Sequence, residues 1–198
     1  MIWPTAITRV GALTFSLALT LTLTPAPTLA QAFPNFGGLE VRLGTASPEN
    51  ADRGFAFAAD ADLGAFGIGT LRVFAGMHRF GADLDRTDAV GELSATGARL
   101  ALRFDPLART RFSPFLGAAL TAHSVSAESD NAAVEELLDG FYVGAAILGG
   151  AAWKLDLEGR YAAVLELRRT FASDIRHTSI ELGLRWMPRA AGSYVIEP

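Results

Sequence analysis

Three features of the sequence predict an all-β chain of eight antiparallel strands, closed up-and-down into a transmembrane barrel. Eight short segments alternate apolar residues with polar or small ones. Two of the odd-numbered connections between them are much longer than any even-numbered one. The 198 residues hold 20 Gly, no Cys and a single Lys, Lys154, although half the chain is apolar. Alternation with period two is the mark of a strand with two unlike faces. The length suits one domain.

The N-terminus comes first. Arg9 precedes the apolar run Val10–Thr24, followed by PAPTLAQA with small residues before Ala30 and Ala32. A positive start, a short apolar stretch and small residues at −3 and −1 describe a secretory signal peptide. The run is short of the roughly 20 apolar residues of a membrane-spanning helix and rich in Thr. Residues 1–32 are therefore expected to be cleaved, after Ala30 or Ala32, leaving residues 33–188 as the barrel and 189–198 as a C-terminal periplasmic tail. The formal charge is −4 for the whole chain and −5 for the mature one, because residues 1–32 contain Arg9 and no acid. Without a basic run, nucleic acid is excluded as a partner. Without Cys there is no disulfide, thiolate site or lipid-anchor thiol.

The strands follow in order. In the first, Leu39, Val41 and Leu43 alternate with Glu40, Arg42 and Gly44; in the second, Phe55, Phe57, Ala59 and Ala61 alternate with Ala56, Ala58, Asp60 and Asp62. The third sets Leu71, Val73, Ala75 and Met77 against Arg72, Phe74, Gly76 and His78, and the fourth sets Leu100, Leu102 and Phe104 against Arg99, Ala101 and Arg103. The fifth has Leu116, Ala118, Leu120 and Ala122 on one face, and the sixth has Phe141, Val143, Ala145, Ile147 and Trp153. The seventh pairs Tyr161, Ala163, Leu165 and Leu167 with Glu166 and Arg168, and the eighth pairs Ile180, Leu182, Leu184 and Trp186 with Ser179, Glu181, Gly183 and Arg185. The odd connections are Thr45–Asp52, Gly81–Ala95, Ser124–Asp139 and Ala172–Arg176, with a short helix expected at Asn131–Leu138. The even ones are Gly64–Gly69, Asp105–Arg111 and Asp156–Glu158. Short turns on one side and longer loops on the other are the habit of a membrane barrel, with the longer, acidic loops outside the cell and both termini in the periplasm.

Alternation alone leaves open whether the apolar face meets lipid or a ligand, as in a secreted lipocalin-type barrel. Lipid is favoured by a polar face carrying both signs with Gly and Ala between them. Aromatics also mark both ends of the apolar face. Phe104, Trp153, Tyr161 and Trp186 stand at the short-turn end, and Phe55, Phe141 and Phe171 at the other. Tyr161 and Phe171 are ten residues apart, which on a tilted strand spans roughly 25 Å, the height of an outer-membrane apolar band. Arg169 breaks the pattern at the loop-side rim, where it can snorkel. The inward charges Glu40, Arg42, Arg72, Arg99, Arg103, Glu166, Arg168, Glu181 and Arg185 are expected to form an ion-pair network filling the lumen. An eight-stranded barrel is only wide enough for its own side chains, which argues against a porin.

Ser113–Leu120 (SPFLGAAL), Trp153-Lys154-Leu155 with Leu165-Glu166-Leu167-Arg168, and the closing Glu181–Trp186 (ELGLRW) resemble the OmpA-like family of eight-stranded outer-membrane barrels. The resemblance spans about residues 37–187. It implies a Gram-negative outer membrane, contact with its lipids and lipopolysaccharide, delivery by the barrel-assembly machinery, and a monomer. The role it implies is structural, adhesive or envelope-maintaining. Two departures are the non-aromatic C-terminus and the extra tail. A small-molecule binding or transport barrel is the alternative.

Chemistry is sparse. His177-Thr178-Ser179 with Glu181 resembles the His-x-Ser motif of outer-membrane lipid A deacylases, whose triad transfers an acyl group. Parity places all three on the lumen face, away from lipid, so no catalytic residue is expected. His78, His123 and His177 fall at long-loop ends of lumen positions and could in principle hold a metal or sense pH. Strands three, five and eight are not neighbours, so they read as polar rim residues. No metal and no cofactor is implied. The acidic loops could bind Mg²⁺ or Ca²⁺, and solvation explains them equally well.

Overall fold

The computed structural model describes residues 36–49, 51–66, 71–84, 90–172 and 176–188. Eight strands follow one another: β1 (Gly38–Pro48), β2 (Gly54–Phe66), β3 (Leu71–Asp83), β4 (Gly91–Phe104), β5 (Phe112–Ser129), β6 (Gly140–Lys154), β7 (Tyr161–Ala172) and β8 (Arg176–Trp186). Each pairs antiparallel with the next, and β8 returns to β1, from Leu39↔Trp186 to Pro48↔His177. Closure leaves no unpaired edge. One helix, α1 (Ala132–Leu138), lies between β5 and β6, with the Asn131 side chain accepting from the Ala133 N–H at its start. The expected signal peptide and C-terminal tail lie outside the described residues.

The barrel is apolar outside and charged within. Val41, Leu43, Leu100, Leu102, Leu116, Leu120, Val143, Ile147, Leu165, Leu167, Leu182 and Leu184 are exposed on the outer face, while Glu40, Arg42, Asp60, Arg99, Arg103, Glu166, Arg168 and Glu181 are buried inside. Phe104, Trp153 and Tyr161 stand exposed near the short turns, and Phe55, Phe141 and Phe171 near the opposite end. Trp186 differs: it is partly covered, packed with Leu39 and Leu63 against a small cluster of Phe36 and Ala61. Phe112, facing Trp153 across the ladder with ring centroids 6.0 Å apart, adds an aromatic at the short-turn end that the sequence reading left out. Arg169 donates to Thr178 Oγ1 at 2.8 Å and pairs with Glu49, so its charge is met at the rim.

Two connections are shorter than expected because their strands are longer. β3 and β4 stay paired up to Asp83↔Glu92, and β4 and β5 up to Gly91↔Ser129. In this extension the faces exchange character. Phe80, Ala82, Leu93, Ala95, Val125 and Ala127 point inward and are buried, whereas Arg79, Asp83, Glu92, Ser124, Ser126 and Glu128 are exposed. The inward residues join Ala46, Ala51, Ala56, Leu84 and Leu138, with Tyr142 packed against them, in an apolar cluster that fills the long-connection end. α1 closes over this end: the Tyr142 hydroxyl donates to the carbonyl of Leu138 at 3.1 Å, and the Asp139 carboxylate accepts from the Ala127 N–H of β5 at 2.5 Å. At the opposite end the Asp156 carboxylate accepts from the Tyr161 N–H at 2.9 Å, and that bond holds its pKa below the usual carboxylate range.

Candidate functional site: the barrel interior

The lumen is built from alternate residues of every strand, so its contents follow from register. Glu40 of β1 lies opposite Asp60 of β2 and Arg185 of β8. Arg42, one pleat on, is the hub. It pairs with Glu40, donates to Asp60 at 2.7 Å and to Glu181 at 3.1 Å, and lies 3.4 Å from Glu166. Glu166 and Glu181 face each other directly across the β7–β8 ladder, where two like charges would repel. Arginines bracket them: Arg168 donates to Glu181 at 2.7 Å and Arg99 donates to Glu166 at 2.7 Å. Arg185 reaches Glu40 at 2.6 Å. Arg103 lies 3.3 Å from Glu40, its guanidinium 3.4 Å from the centroid of Phe115 and 4.8 Å from that of Phe74. Removing these groups from water is costly, and only dense pairing of this kind offsets the cost.

Of the nine charged residues singled out from the sequence, eight belong to this one connected cluster. Arg72 stands apart, paired with Asp62 at 2.6 Å near the short-turn mouth. Two carboxylates were missing from that set, and Asp60 is the important one. It takes two bonds from Arg99, both at 2.6 Å, as well as the one from Arg42. Asp60 sits on β2 and Arg99 on β4; between them on β3 is Gly76, opposite both. A side chain at Gly76 would run into the Asp60 carboxylate. Glycine thus lets partners meet over the intervening strand, a second-neighbour pairing that adjacent-strand reasoning does not find.

The same device overturns the reading of the histidines as separate rim residues. His78 (β3) and His123 (β5) both lie opposite Gly97 of β4, and their Nε2 atoms are 2.6 Å apart. His177 comes from β8 to within 5.6 Å of His123, centroid to centroid, under the ring of Phe80 at 4.5 Å. All three are buried. They form a layer between the ion pairs and the apolar cluster.

The acyl-transfer constellation is not assembled. Glu181 is committed to Arg42 and Arg168, while Ser179 Oγ and both ring nitrogens of His177 have no hydrogen-bond partner, so no Ser–His–Glu relay exists. All three side chains are buried inside the barrel, away from the apolar exterior.

No protein-family model matches the chain, and no curated protein does. Among solved structures it is similar to neisserial surface protein A (NspA), with a TM-score of 0.53 and 16% identity over 76% of this chain and 96% of that one. The fold is that of an eight-stranded outer-membrane barrel. Ail, the attachment invasion locus protein of Yersinia pestis solved with the heparin analogue sucrose octasulfate, aligns with a TM-score of 0.45 and 10% identity over 76% of this chain and 97% of its own. A major outer membrane protein of Thermus thermophilus aligns at 0.44 and 11%, over 76% and 98%. At such identities the likeness is one of fold.

Proposed function

We propose that the chain is a Gram-negative outer-membrane protein with a structural, adhesive or envelope-maintenance role, a stopper-like barrel that holds an acidic platform outside the cell. The observation that carries this reading is the inside-out distribution of charge. An exterior of Leu, Val and Ile bounded by aromatics suits hydrocarbon, where every backbone group is already paired in the ladder. An interior occupied by ion pairs and an apolar cluster suits a filled barrel rather than a porin or a ligand cup. Outer-membrane lipids and lipopolysaccharide are its surroundings, the barrel-assembly machinery its route, and it works as a monomer. On this reading the reversal of faces above Arg79, Thr96 and Ser124 corresponds to the step from lipid to water, and the habit of placing longer loops outside puts the β3–β5 extension and α1 on the cell surface and the termini in the periplasm.

Fractionation of the exporting cell tests this directly. The protein is expected in the outer-membrane fraction, migrating faster unboiled than boiled on a gel. External protease should leave the short Asp105–Arg111 turn intact on whole cells. Recovery in the soluble periplasmic fraction overturns the membrane reading, and cleavage at that turn inverts the orientation.

A further inference from the structure

We propose that the lumen end nearest the short turns is a phosphate site, in which Arg72, Lys154 and Arg185 hold the anion and Asp105 accepts its proton. The charges of the interior do not balance there. Around the hub, Arg42, Arg99 and Arg168 face Asp60, Glu166 and Glu181, three against three. Toward the short turns, Arg72, Arg103, Lys154 and Arg185 face only Glu40, Asp62 and Asp105 among the described residues, and Glu40 is shared with Arg42. The cations are also crowded. Arg72 and Arg103 lie directly opposite each other on β3 and β4, and the guanidiniums of Arg103 and Arg185 are 4.8 Å and 5.0 Å from the centroid of Phe74. Like charges this close repel, and an anion among them offsets the repulsion.

A cavity of about 40 Å³ lies at this point, lined by Arg72, Asp105, Ser113, Lys154 and Arg185 with alanines between them. Ala162 of β7 stands opposite both Lys154 of β6 and Arg185 of β8, so two cations from second-neighbour strands converge over a methyl group. Donors are left over. Lys154, the chain's single Lys, gives one bond, to the Ala108 carbonyl at 2.9 Å. Arg72 spends Nε and Nη2 on one oxygen of Asp62, at 2.7 Å and 2.6 Å. Buried Nη2 of Arg185 is out of line for a hydrogen bond to Glu40 at 2.6 Å, and Nε and Nη2 of buried Arg103, across the ladder from Arg72, have no partner. Buried donors in native proteins are satisfied, so this group calls for an acceptor. Asp105 decides which one. Its carboxylate is buried, accepts from the Ser113 hydroxyl and faces the same cavity. It repels an anion without a proton and accepts a strong, charge-assisted bond from one that carries a P–OH group. At neutral pH inorganic phosphate keeps a proton, whereas sulfate and a phosphodiester headgroup have none to give. The volume is roughly that of three waters, which takes most of a phosphate and leaves one oxygen at the mouth, where Arg72 and Lys154 are partly exposed.

The test uses the full mature barrel refolded into detergent at neutral pH in phosphate-free buffer. Inorganic phosphate is the probe, with sulfate and dihexanoylphosphatidylglycerol as comparisons. Titration calorimetry should find one phosphate per chain, and the two proton-free anions should bind about tenfold more weakly or worse, a comparison that needs no variant to fold. Lys154→Gln should weaken phosphate binding about tenfold while retaining the unboiled gel shift. Asp105→Asn should erase the preference by raising sulfate to the level of phosphate, a change that a merely structural role does not produce. Glu92→Gln on the acidic extension should leave every affinity unchanged. The proposal is overturned if the wild type binds no phosphate, if sulfate or the phosphodiester binds it as tightly, if Lys154→Gln binds phosphate like wild type, or if Asp105→Asn keeps the preference.

Discussion

Glu181 offers the sharpest test of the lumen network. Its carboxylate accepts from Arg168 at 2.7 Å and from Arg42 at 3.1 Å, and all three side chains are buried. Glu181→Ala strips Arg168 of its one close partner, since Glu166 is 3.8 Å from it, whereas Arg42 keeps Glu40, Asp60 and Glu166. Leaving a buried charge unpaired costs about 3–5 kcal/mol. Arg168→Ala should cost somewhat less, about 2–4 kcal/mol, because Glu181 retains Arg42. In the double variant the orphaned guanidinium is gone, so the combined loss should fall short of the sum by about 1–3 kcal/mol. Equilibrium unfolding of the refolded protein in lipid, followed by the fluorescence of Trp153 and Trp186, supplies all four corners of the cycle. Glu136→Ala on the exposed face of α1 is the control and should stay within about 0.5 kcal/mol of wild type. Additivity within about 0.5 kcal/mol would mean that the two groups do not interact, and the β7–β8 register would have to be wrong.

Two further outcomes follow from the ladder. Asp83, Glu92 and Glu128 lie side by side across β3, β4 and β5 on the exposed face, so Glu92→Lys exchanges two like-charge neighbours for two opposite ones. It should stabilise the extension by about 1 kcal/mol at low salt and by less at high salt, read as a shift of the unfolding midpoint; an unchanged or lowered midpoint at low salt contradicts the register. Gly76→Ala drives a methyl group into the Asp60 carboxylate and the neighbouring backbone, whereas Gly149→Ala places one 3.1 Å from the flexible end of Leu116 on the outer face. The first should cost about 1–3 kcal/mol or prevent the unboiled gel shift, and the second should be close to neutral; equal costs would refute the window role of Gly76.

Strand number, strand order and which residues face inward were all legible in the sequence, because period-two alternation needs only the identity of each residue. Parity also put Glu40, Arg42, Glu166, Arg168, Glu181 and Arg185 on one face. The strand extensions were not recognised, and the reason is physical. Alternation persists through Ser124-Val125-Ser126-Ala127-Glu128, but its phase is reversed: the inward residue is now the apolar one, as the proposed step from hydrocarbon to water outside requires. Looking for that reversal, at His123–Val125 in β5 and at His78–Phe80 in β3, would have located the end of the apolar band. The histidine layer and the Asp60–Arg99 bonds were missed for another reason. Contacts across a lumen depend on curvature and on what the strand between leaves vacant, and neither is a property of any one strand.

Gly76 and Gly97 bear on how such a barrel can change over time. A chain of four β-hairpins invites the idea that each hairpin is a unit that could be duplicated, shuffled or replaced. Here β2 is tied to β4 over Gly76 and β3 to β5 over Gly97, so every cut between hairpins in this half of the barrel separates a glycine-bridged pair. Hairpin exchange between relatives would strand a buried aspartate or histidine without its mate, and compensating substitutions would have to arise two strands away. Among divergent relatives, correlated positions should therefore appear between second neighbours wherever the intervening residue is glycine, and that trace would set this barrel apart from one assembled hairpin by hairpin.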